Sequence, residues 1–357
     1  MQLDFVDHRS DPGAWAKELD VSREAIDLYL ASDVIDLHLD GFIWTRIFGY
    51  DLTKRHGNGL FDARFYGHAD LPSLREAHVT GGIWVITTNP LRPSRERPHV
   101  FSKNVARLQE ILEGCKDDVA IVRTTSEYEA AQRDGKHAAW IGIQGGNALD
   151  GEPDALDRIP EGLVVRVTIV HLSNSGLGET SAPVKVPPTD SGLTKAGKAY
   201  VQRLNAKKIF VDLAHISRRG FFDAVEVHDK TQPLIVTHTG VSGVYPHWRN
   251  IDDEQLRAVA DTGGAVGVMY QESFLGKRNV TAATIVDHIE HIGKVAGDDV
   301  ACLGSDWDGA ITTPRDMKTC LELPRIVDVM LKRKWSPERV KKVLGGNFLR
   351  ALTLLRG

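Results

Sequence analysis

The sequence has few cysteines, no long apolar run and no excess of charge of one sign. Three of its 357 residues are cysteine, Cys115, Cys302 and Cys320, and they lie far apart. An odd number without short spacings argues against a disulfide framework and against a thiolate zinc site. We therefore expect all three to be buried as small hydrophobic residues.

The absence of other features excludes further classes of protein. No run is long and apolar enough to cross a membrane, and the first residues lack the apolar core of a secretion signal, so we predict a cytoplasmic protein without membrane contacts. The net charge of -4 argues against nucleic acid as the main partner. The remaining composition, with 42% hydrophobic and 26% charged residues, is that of an ordinary globular protein.

Apolar segments alternate with helical patterns along the chain. Eight of these segments predict buried strands: residues 34–37, 82–87, 138–144, 163–171, 209–215, 233–238, 264–270 and 300–306. The alternation indicates parallel β/α units and predicts an α/β protein with one (β/α)8 TIM-type barrel over residues 34–357, including C-terminal helices. Residues 1–33 are predicted to be a leader packed on the barrel. A doubly wound sheet is the alternative, but no Gly-x-Gly-x-x-Gly follows a strand.

Three local predictions accompany this fold. Residues 119–123 form a short accessory strand, and residues 42–72, which have weak periodicity, form an irregular functional loop. Residues 126–134 form a helix in which Ser126 and Glu129 make a capping box.

Polar residues that bind metals or transfer protons stand at five of the eight strand ends. His38 and Asp40 point to the same side of the first strand, because side chains alternate along a strand. The other four ends carry His171, His215, His238 and Asp306. In a barrel these ends meet at one face, where active sites form. The set therefore predicts a site for one or two divalent ions.

Several segments resemble the membrane dipeptidase family, peptidase family M19 of the amidohydrolase superfamily. They run in the family's order: IDLHLDG at 35–41, ADLPSLRE at 69–76, VDLAHIS at 211–217, THT at 237–239, WRNIDD at 248–253, LGSDWDG at 303–309 and VLGGNF at 343–348. The resemblance implies a distorted barrel with two zinc ions, a dipeptide substrate and a homodimer. It implies that His38, Asp40 and Asp306 bind the first metal and that His215 and His238 bind the second.

The same resemblance implies roles toward the substrate. His171 matches the histidine that contacts the substrate carbonyl and stabilises the oxyanion. Arg249 matches the arginine that holds the terminal carboxylate, a role that suits the planar fork of a guanidinium.

The sequence departs from the family after the third strand. The family has Glu-Gly-Gly-His there, and its glutamate bridges the metals, whereas this chain has Gln144-Gly145-Gly146-Asn147. An amide oxygen coordinates a metal without adding negative charge. We therefore predict that Gln144 is at most a weak ligand, and that one zinc ion binds tightly while a second binds weakly or not at all. Asn147 replaces a histidine beside the substrate.

These residues predict a metal-dependent hydrolase that cleaves the amide bond of a small carboxylate-bearing substrate such as a dipeptide. Asp306 would take the proton of the attacking water and pass it to the leaving amine, while His171 stabilises the oxyanion. One alternative is a single-metal deacetylase or deaminase in which His238 is free for acid–base chemistry. The other is a non-hydrolytic protein that binds a small ligand in the same pocket.

Overall fold

The apolar segments form one parallel sheet in a computed structural model that describes residues 1–56, 65–89, 92–149, 155–183 and 191–357. Its strands are β1 (Ile35–Leu39), β2 (Gly81–Thr87), β3 (Val119–Ile121), β4 (His137–Gln144), β5 (Val164–Thr168), β6 (Phe210–Asp212), β7 (Ile235–Thr239), β8 (Ala265–Val268) and β9 (Ala301–Leu303). The neighbour order is β2-β1-β9-β8-β7-β6-β5-β4, and pairing of β2 with β4 closes a ring of eight strands. β3 pairs with β4 outside this ring. The predicted barrel and accessory strand are confirmed.

Helices follow most strands and cover the outside of the ring. They are α1 (Pro12–Leu19), α2 (Arg23–Leu30), α3 (Phe42–Phe48), α4 (Leu71–Glu76), α5 (Arg97–Gly114), α6 (Thr125–Arg133), α7 (Lys195–Ala206), α8 (Arg218–Val227), α9 (Asp253–Ala260), α10 (Glu272–Leu275), α11 (Ala282–Ala296), α12 (Pro324–Lys332), α13 (Pro337–Lys341) and α14 (Asn347–Arg356). In the part of the chain that the structure describes, no helix combines the length and the hydropathy needed to span a bilayer.

One local prediction is wrong and another is wrong in part. Residues 42–72 are not wholly irregular, because α3 begins at Phe42 and α4 begins at Leu71, while residues 57–64 lie outside the described part of the chain. The helix predicted at 126–134 is present as α6, shifted by one residue, but its N-cap is Thr124 and not Ser126, and the Thr124 hydroxyl accepts a hydrogen bond from the Glu127 amide. Ser126 instead shares a hydrogen bond with the Thr124 hydroxyl.

The N-terminal residues are anchored to the rest of the chain by buried side chains. Trp15 and Tyr29 are buried, and the Tyr29 hydroxyl donates to the Ala77 carbonyl oxygen at 2.6 Å. The Ser22 amide at the start of α2 donates to the Asp328 carboxylate of α12 at 2.9 Å. The boundary at residue 34 stays a prediction.

A separate apolar cluster fills the end of the barrel where the strands begin. It contains one residue or more from each ring strand, including Ile35, Trp140 and Phe210, together with the inner face of α14. The Phe348 ring of α14 packs edge-on against Trp140, with ring centroids 5.1 Å apart. This cluster closes one end of the barrel and leaves the other end for polar residues. Cys302 lies within it, and all three cysteines are free and buried, as predicted.

Replacement of Phe348 by alanine should lower the free energy of unfolding by about 3–5 kcal/mol, because a fully buried aromatic ring is lost from this cluster. Leu354→Ala on the same helix is the control, because Leu354 is 55% exposed and should change stability by less than about 0.5 kcal/mol. Urea denaturation of both variants measures the difference. Equal stability of the two variants would show that α14 does not close the barrel.

Candidate active site

The predicted polar residues do lie at the carboxyl ends of the ring strands, although the strands before His171, His215 and Asp306 end earlier than expected. His38 lies within β1 and His238 within β7, whereas His171, His215 and Asp306 each stand three residues beyond the end of their strand. His215 and Asp306 have φ angles of 65° and 63°, which a continuing strand does not allow. Positive φ at non-glycine residues is costly and is concentrated at functional sites.

A group of three residues offers ligand atoms within 4.8 Å of one another: His38, His238 and Asp306, all buried. The Nε2 atom of His38 lies 3.5 Å from the Asp306 carboxylate. His215 joins this group through His238, since their Nε2 atoms are 2.8 Å apart. The imidazole nitrogens and one carboxylate therefore converge from β1, β7 and the segments after β6 and β9.

Asp40 lies beside this group but outside the set of three. Its carboxylate accepts a hydrogen bond from the Thr87 hydroxyl at the end of β2. Burial raises the pKa of Asp40 to about 7, although the Thr87 hydrogen bond opposes the shift. Burial also raises the pKa of Asp306 well above its usual range, and the charge of Asp40 adds to that shift. A neighbouring cation would lower both pKa values and favour the ionised carboxylates.

Gln144, at the end of β4, contacts the predicted oxyanion histidine. Its Nε2 atom donates to Nε2 of His171 at 2.8 Å, so that a neutral His171 carries its proton on Nδ1. That Nδ1 atom is buried and has no hydrogen-bond partner among the described residues, and neither has Oε1 of Gln144. Burial lowers the pKa of His171 to about 3, so the ring is neutral at physiological pH.

A buried arginine, Arg166 of β5, approaches the group from inside the barrel. Its Nη2 atom donates to Nδ1 of His38 at 2.7 Å, and its Nη1 atom donates to the Asp212 carboxylate at 3.1 Å. Gly142 on β4 makes room for it, since a Cβ atom there would lie 2.8 Å from Nε of Arg166. Because a guanidinium only donates, Nδ1 of His38 accepts, and the proton of a neutral His38 sits on Nε2.

Two further carboxylates fix the strand ends. Asp212, the last residue of β6, accepts hydrogen bonds from the Thr168 hydroxyl at 2.5 Å and the Thr237 hydroxyl at 2.7 Å, and so links β5, β6 and β7. Asp36 accepts from the backbone amides of His38 and Ser305 at 2.9 and 3.1 Å. It thereby positions both the histidine of β1 and the turn before Asp306.

Arg249 follows β7 and lies against the histidines. Its side chain is buried, and Nη2 donates to the His238 carbonyl oxygen at 2.7 Å. Burial lowers the pKa of Arg249 to about 10, while the charge of Asp306 opposes the shift, so the guanidinium stays charged at neutral pH. Its Nε atom has no partner among the described residues and can still donate to a ligand.

Asn147 lies on the turn after β4 and faces a second arginine. With its amide oriented so that both ends are satisfied, its oxygen accepts from Nη1 of Arg97 at 3.2 Å and its nitrogen donates to the Gly145 carbonyl oxygen at 3.2 Å. Asn147 therefore connects the residues after β4 to the beginning of α5.

The sequence analysis missed four residues of this site. Arg166 and Asp212 interrupt apolar strand segments with a charge, and Asp36 does the same two residues before His38. A buried charge in a strand needs a partner, so a charged residue within an apolar segment indicates a polar contact inside the barrel. Thr87 gave no comparable signal, because threonine is common in strands.

The group fits a divalent cation. The pKa values of Asp40 and Asp306 are raised by burial, so a cation would compensate two costly carboxylates. His238 also fits, because its Nδ1 atom contacts the Thr237 hydroxyl at 2.9 Å and Nε2 is left for a metal, as is usual in metal sites. His38 fits least well, since Arg166 occupies its Nδ1 atom as a donor.

A family model decides the assignment. The model of the membrane dipeptidase family, peptidase family M19, matches residues 22–355. The chain belongs to this family. It is accordingly a dipeptidase-like, metal-dependent hydrolase, and the resemblance found in the sequence is confirmed.

Individual proteins resemble this chain over most of its length. An uncharacterized protein in the pqqA 5′ region of Klebsiella pneumoniae is 30% identical over 260 residues, covering 71% of this chain and 95% of the relative. A metallo peptidase from Rhodobacter sphaeroides, liganded with a phosphinate mimic of the dipeptide L-Ala-D-Ala, superposes with a TM-score of 0.79 at 23% identity over 91% of this chain and 99% of the other. The probable dipeptidase PvdM from Pseudomonas aeruginosa superposes with a TM-score of 0.83 at 17% identity, covering 95% of this chain and 99% of PvdM. Both structures have the same fold.

Metal affinity should fall as the pH falls below about 7, because a cation must then displace a proton from Asp40, whose pKa is raised to about 7. One competing proton weakens binding by up to about tenfold per pH unit. The pKa values of His215 and His238 are lowered by burial, so these rings add no protonation step in this range. Zinc titration between pH 5.5 and pH 8 measures the slope.

Asp40→Asn removes one titrating carboxyl and should make this pH dependence shallower, while Asp306, whose pKa burial also raises, still contributes to it. Asp261→Asn is the control, because Asp261 is exposed at the end of α9 and should leave the slope unchanged. The same slope in Asp40→Asn and in the wild type would show that Asp40 does not bind the cation.

Proposed function

We propose that this member of the dipeptidase family hydrolyses dipeptides with one tightly held divalent cation. The observation that carries the proposal is the convergence of Asp306 with the imidazoles of His38, His215 and His238 at the barrel mouth, beside a charged and buried Arg249. The cation, proposed to be zinc, supplies Lewis acidity toward the substrate carbonyl and an acidified water. Asp306, Asp40, His238 and His215 are proposed to hold it, with His38 beside them.

Three side chains bind the substrate, transfer the proton and stabilise the oxyanion. Arg249 binds the carboxylate of the substrate with the donors that it does not use toward His238, which fixes the scissile amide next to Asp306. Asp306 takes the proton of the attacking water and delivers it to the leaving amine. The Nδ1–H group of His171 donates a hydrogen bond to the developing oxyanion. The contact with Gln144 supports this role, because it leaves the proton of a neutral His171 on Nδ1.

Arg249→Lys should weaken the binding of free dipeptides by about tenfold and should scarcely affect dipeptide amides, because lysine keeps the charge but loses the fork that matches a carboxylate. Steady-state kinetics with Ala-Ala and Ala-Ala-amide compares the two substrates in the wild type and the variant. Equal losses for the acid and the amide would contradict the role. No hydrolysis of any dipeptide by the zinc-loaded wild type would contradict the proposed function.

A single tight cation is proposed for two reasons. Gln144 stands at the position where the family has a bridging glutamate, and its amide brings no negative charge. Arg166 donates to Nδ1 of His38, which leaves the proton of a neutral His38 on Nε2 and makes this ring a poor metal ligand. Two dications at short range repel strongly, and Asp40 and Asp306 are the only carboxylates among the proposed ligands.

Gln144→Glu should therefore raise the occupancy of a second metal position, because it restores one negative charge in nearly the same volume. This gain in the occupancy of the second metal position should be larger at high pH. After dialysis, metal analysis should give about one equivalent of metal per chain for the wild type and a value closer to two for the variant. Gln132→Glu is the matched control, since Gln132 lies on α6 and binds backbone carbonyl oxygens away from the site. Two equivalents retained by the wild type would overturn the single-cation proposal.

A site with a single cation is also compatible with a deacetylase or deaminase reaction, which an assay can distinguish. A panel of N-acyl amino acids and aminated heterocycles, assayed beside dipeptides, separates a deacetylase or deaminase from a dipeptidase. Tight ligand binding without turnover under saturating zinc, cobalt or manganese would indicate a binding protein. Zinc as the metal, the homodimer and the cytoplasmic location stay predictions from the sequence.

A further inference from the structure

A cleft beside the active site is lined by three arginines, Arg46, Arg92 and Arg97. Its other polar lining residues are Thr87, Thr88, Asn89 and Asn104, and no acidic residue lines it among the described residues. Such a concentration of guanidinium groups is a site for an anion, because each presents planar donors and a permanent charge.

Two of these arginines have donors that no described residue accepts. The Nε atoms of Arg46 and Arg92 are buried and have no hydrogen-bond partner among the described residues. Arg92 approaches Glu96 no closer than 3.7 Å, and the guanidinium of Arg46 lies over the Phe42 ring, 5.7 Å from its centroid. A buried donor without an acceptor is costly, so an anion in the cleft would satisfy groups that are now unsatisfied.

The cleft adjoins the reacting centre. Thr87 lines it and also donates to the Asp40 carboxylate, while the amide of Thr88 donates to the Gln144 carbonyl oxygen at 2.9 Å. Arg97 reaches Asn147 at 3.2 Å. The two positions at which the chain departs from its family, Gln144 and Asn147, thus lie on the side of the cleft.

The ring order places the cleft across the barrel mouth from Arg249. Its lining residues come from α3 after β1, from the end of β2 and the segment after it, from α5 and from the turn after β4. Arg249 follows β7, which is separated from β2 by β1, β9 and β8 in one direction and by β4, β5 and β6 in the other. The proposed metal group therefore lies between two cationic sites.

We propose that this cleft binds a carboxylate on the amino-terminal residue of the dipeptide, so that the preferred substrates are aspartyl and glutamyl dipeptides. The inference rests on the proposed function, because the amino-terminal residue of the dipeptide faces the cleft only if Arg249 holds the carboxylate of the carboxy-terminal residue. The acidic side chain reaches Arg46 and Arg92, whereas a neutral or basic side chain offers their Nε donors no carboxylate. Each residue of such a substrate carries a carboxylate, and each carboxylate is bound by arginine.

The test compares Glu-Ala, Gln-Ala and Lys-Ala as substrates of the zinc-loaded enzyme. Gln-Ala has the same shape as Glu-Ala without the charge. We expect kcat/KM for Glu-Ala to exceed that for Gln-Ala by about tenfold or more, as for one charge-assisted hydrogen bond, and Lys-Ala to be poorest. Arg46→Gln and Arg92→Gln should each reduce the ratio of Glu-Ala to Gln-Ala toward one. Arg95→Gln is the control, since Arg95 is an exposed residue of the same segment outside the cleft.

Hydrolysis of Gln-Ala and Glu-Ala at equal rates would overturn this inference and leave the proposed function intact. If no dipeptide is hydrolysed, glutarate tests the cleft directly by calorimetry. Its Kd should rise about tenfold in Arg46→Gln and Arg92→Gln and should not change in Arg95→Gln. An unchanged Kd in both cleft variants, with thermal melting showing that they are folded, would overturn the inference.

Discussion

The buried ion pair between Arg166 and Asp212 is the interaction on which the active end of the barrel depends. Neither side chain is exposed to solvent, and together they connect β5, β6 and β7 to the imidazole of His38. Breaking a buried pair on one side leaves an uncompensated charge, which costs about 3–5 kcal/mol. The pair therefore fixes the geometry of the strand ends, and its guanidinium occupies Nδ1 of His38. It makes a rigid site in which one imidazole is already engaged by the protein.

The elements that the sequence predicted well are those whose signal is local. The eight apolar segments, the accessory strand after α5 and the helix α6 follow from the periodicity of apolar residues. The polar strand ends could also be found, because a barrel brings all such ends to one face. The lengths of the strands could not be predicted. His215 and Asp306 take left-handed backbone conformations, which hydrogen bonds from distant residues maintain. Ser305, for example, is fixed by Asp36, which lies 269 positions earlier.

Contacts between side chains were the least predictable part of the site. The sequence placed Gln144 at the bridging position, but only the structure brings it to His171. Arg166 carried a signal as a charge within an apolar strand, yet nothing local indicates that it reaches His38 rather than solvent. The arginines of the cleft come from three separate segments, so their proximity depends on how α3, the segment after β2 and α5 are arranged around the ring. These are long-range consequences of packing that no pattern of neighbouring residues encodes.

The closure of the ring has a consequence for the synthesis of the protein. β9 is the last of the described strands to leave the ribosome, and it pairs with both β1 and β8. Until it arrives, β1 and β8 are open edges, and exposed edges pair readily with other chains. The carboxylate of Asp36 also lacks its Ser305 partners until then, and the apolar cluster lacks α14. The nascent barrel thus carries an aggregation hazard that ends only with its final segment, and translation pauses before residue 301 would prolong it.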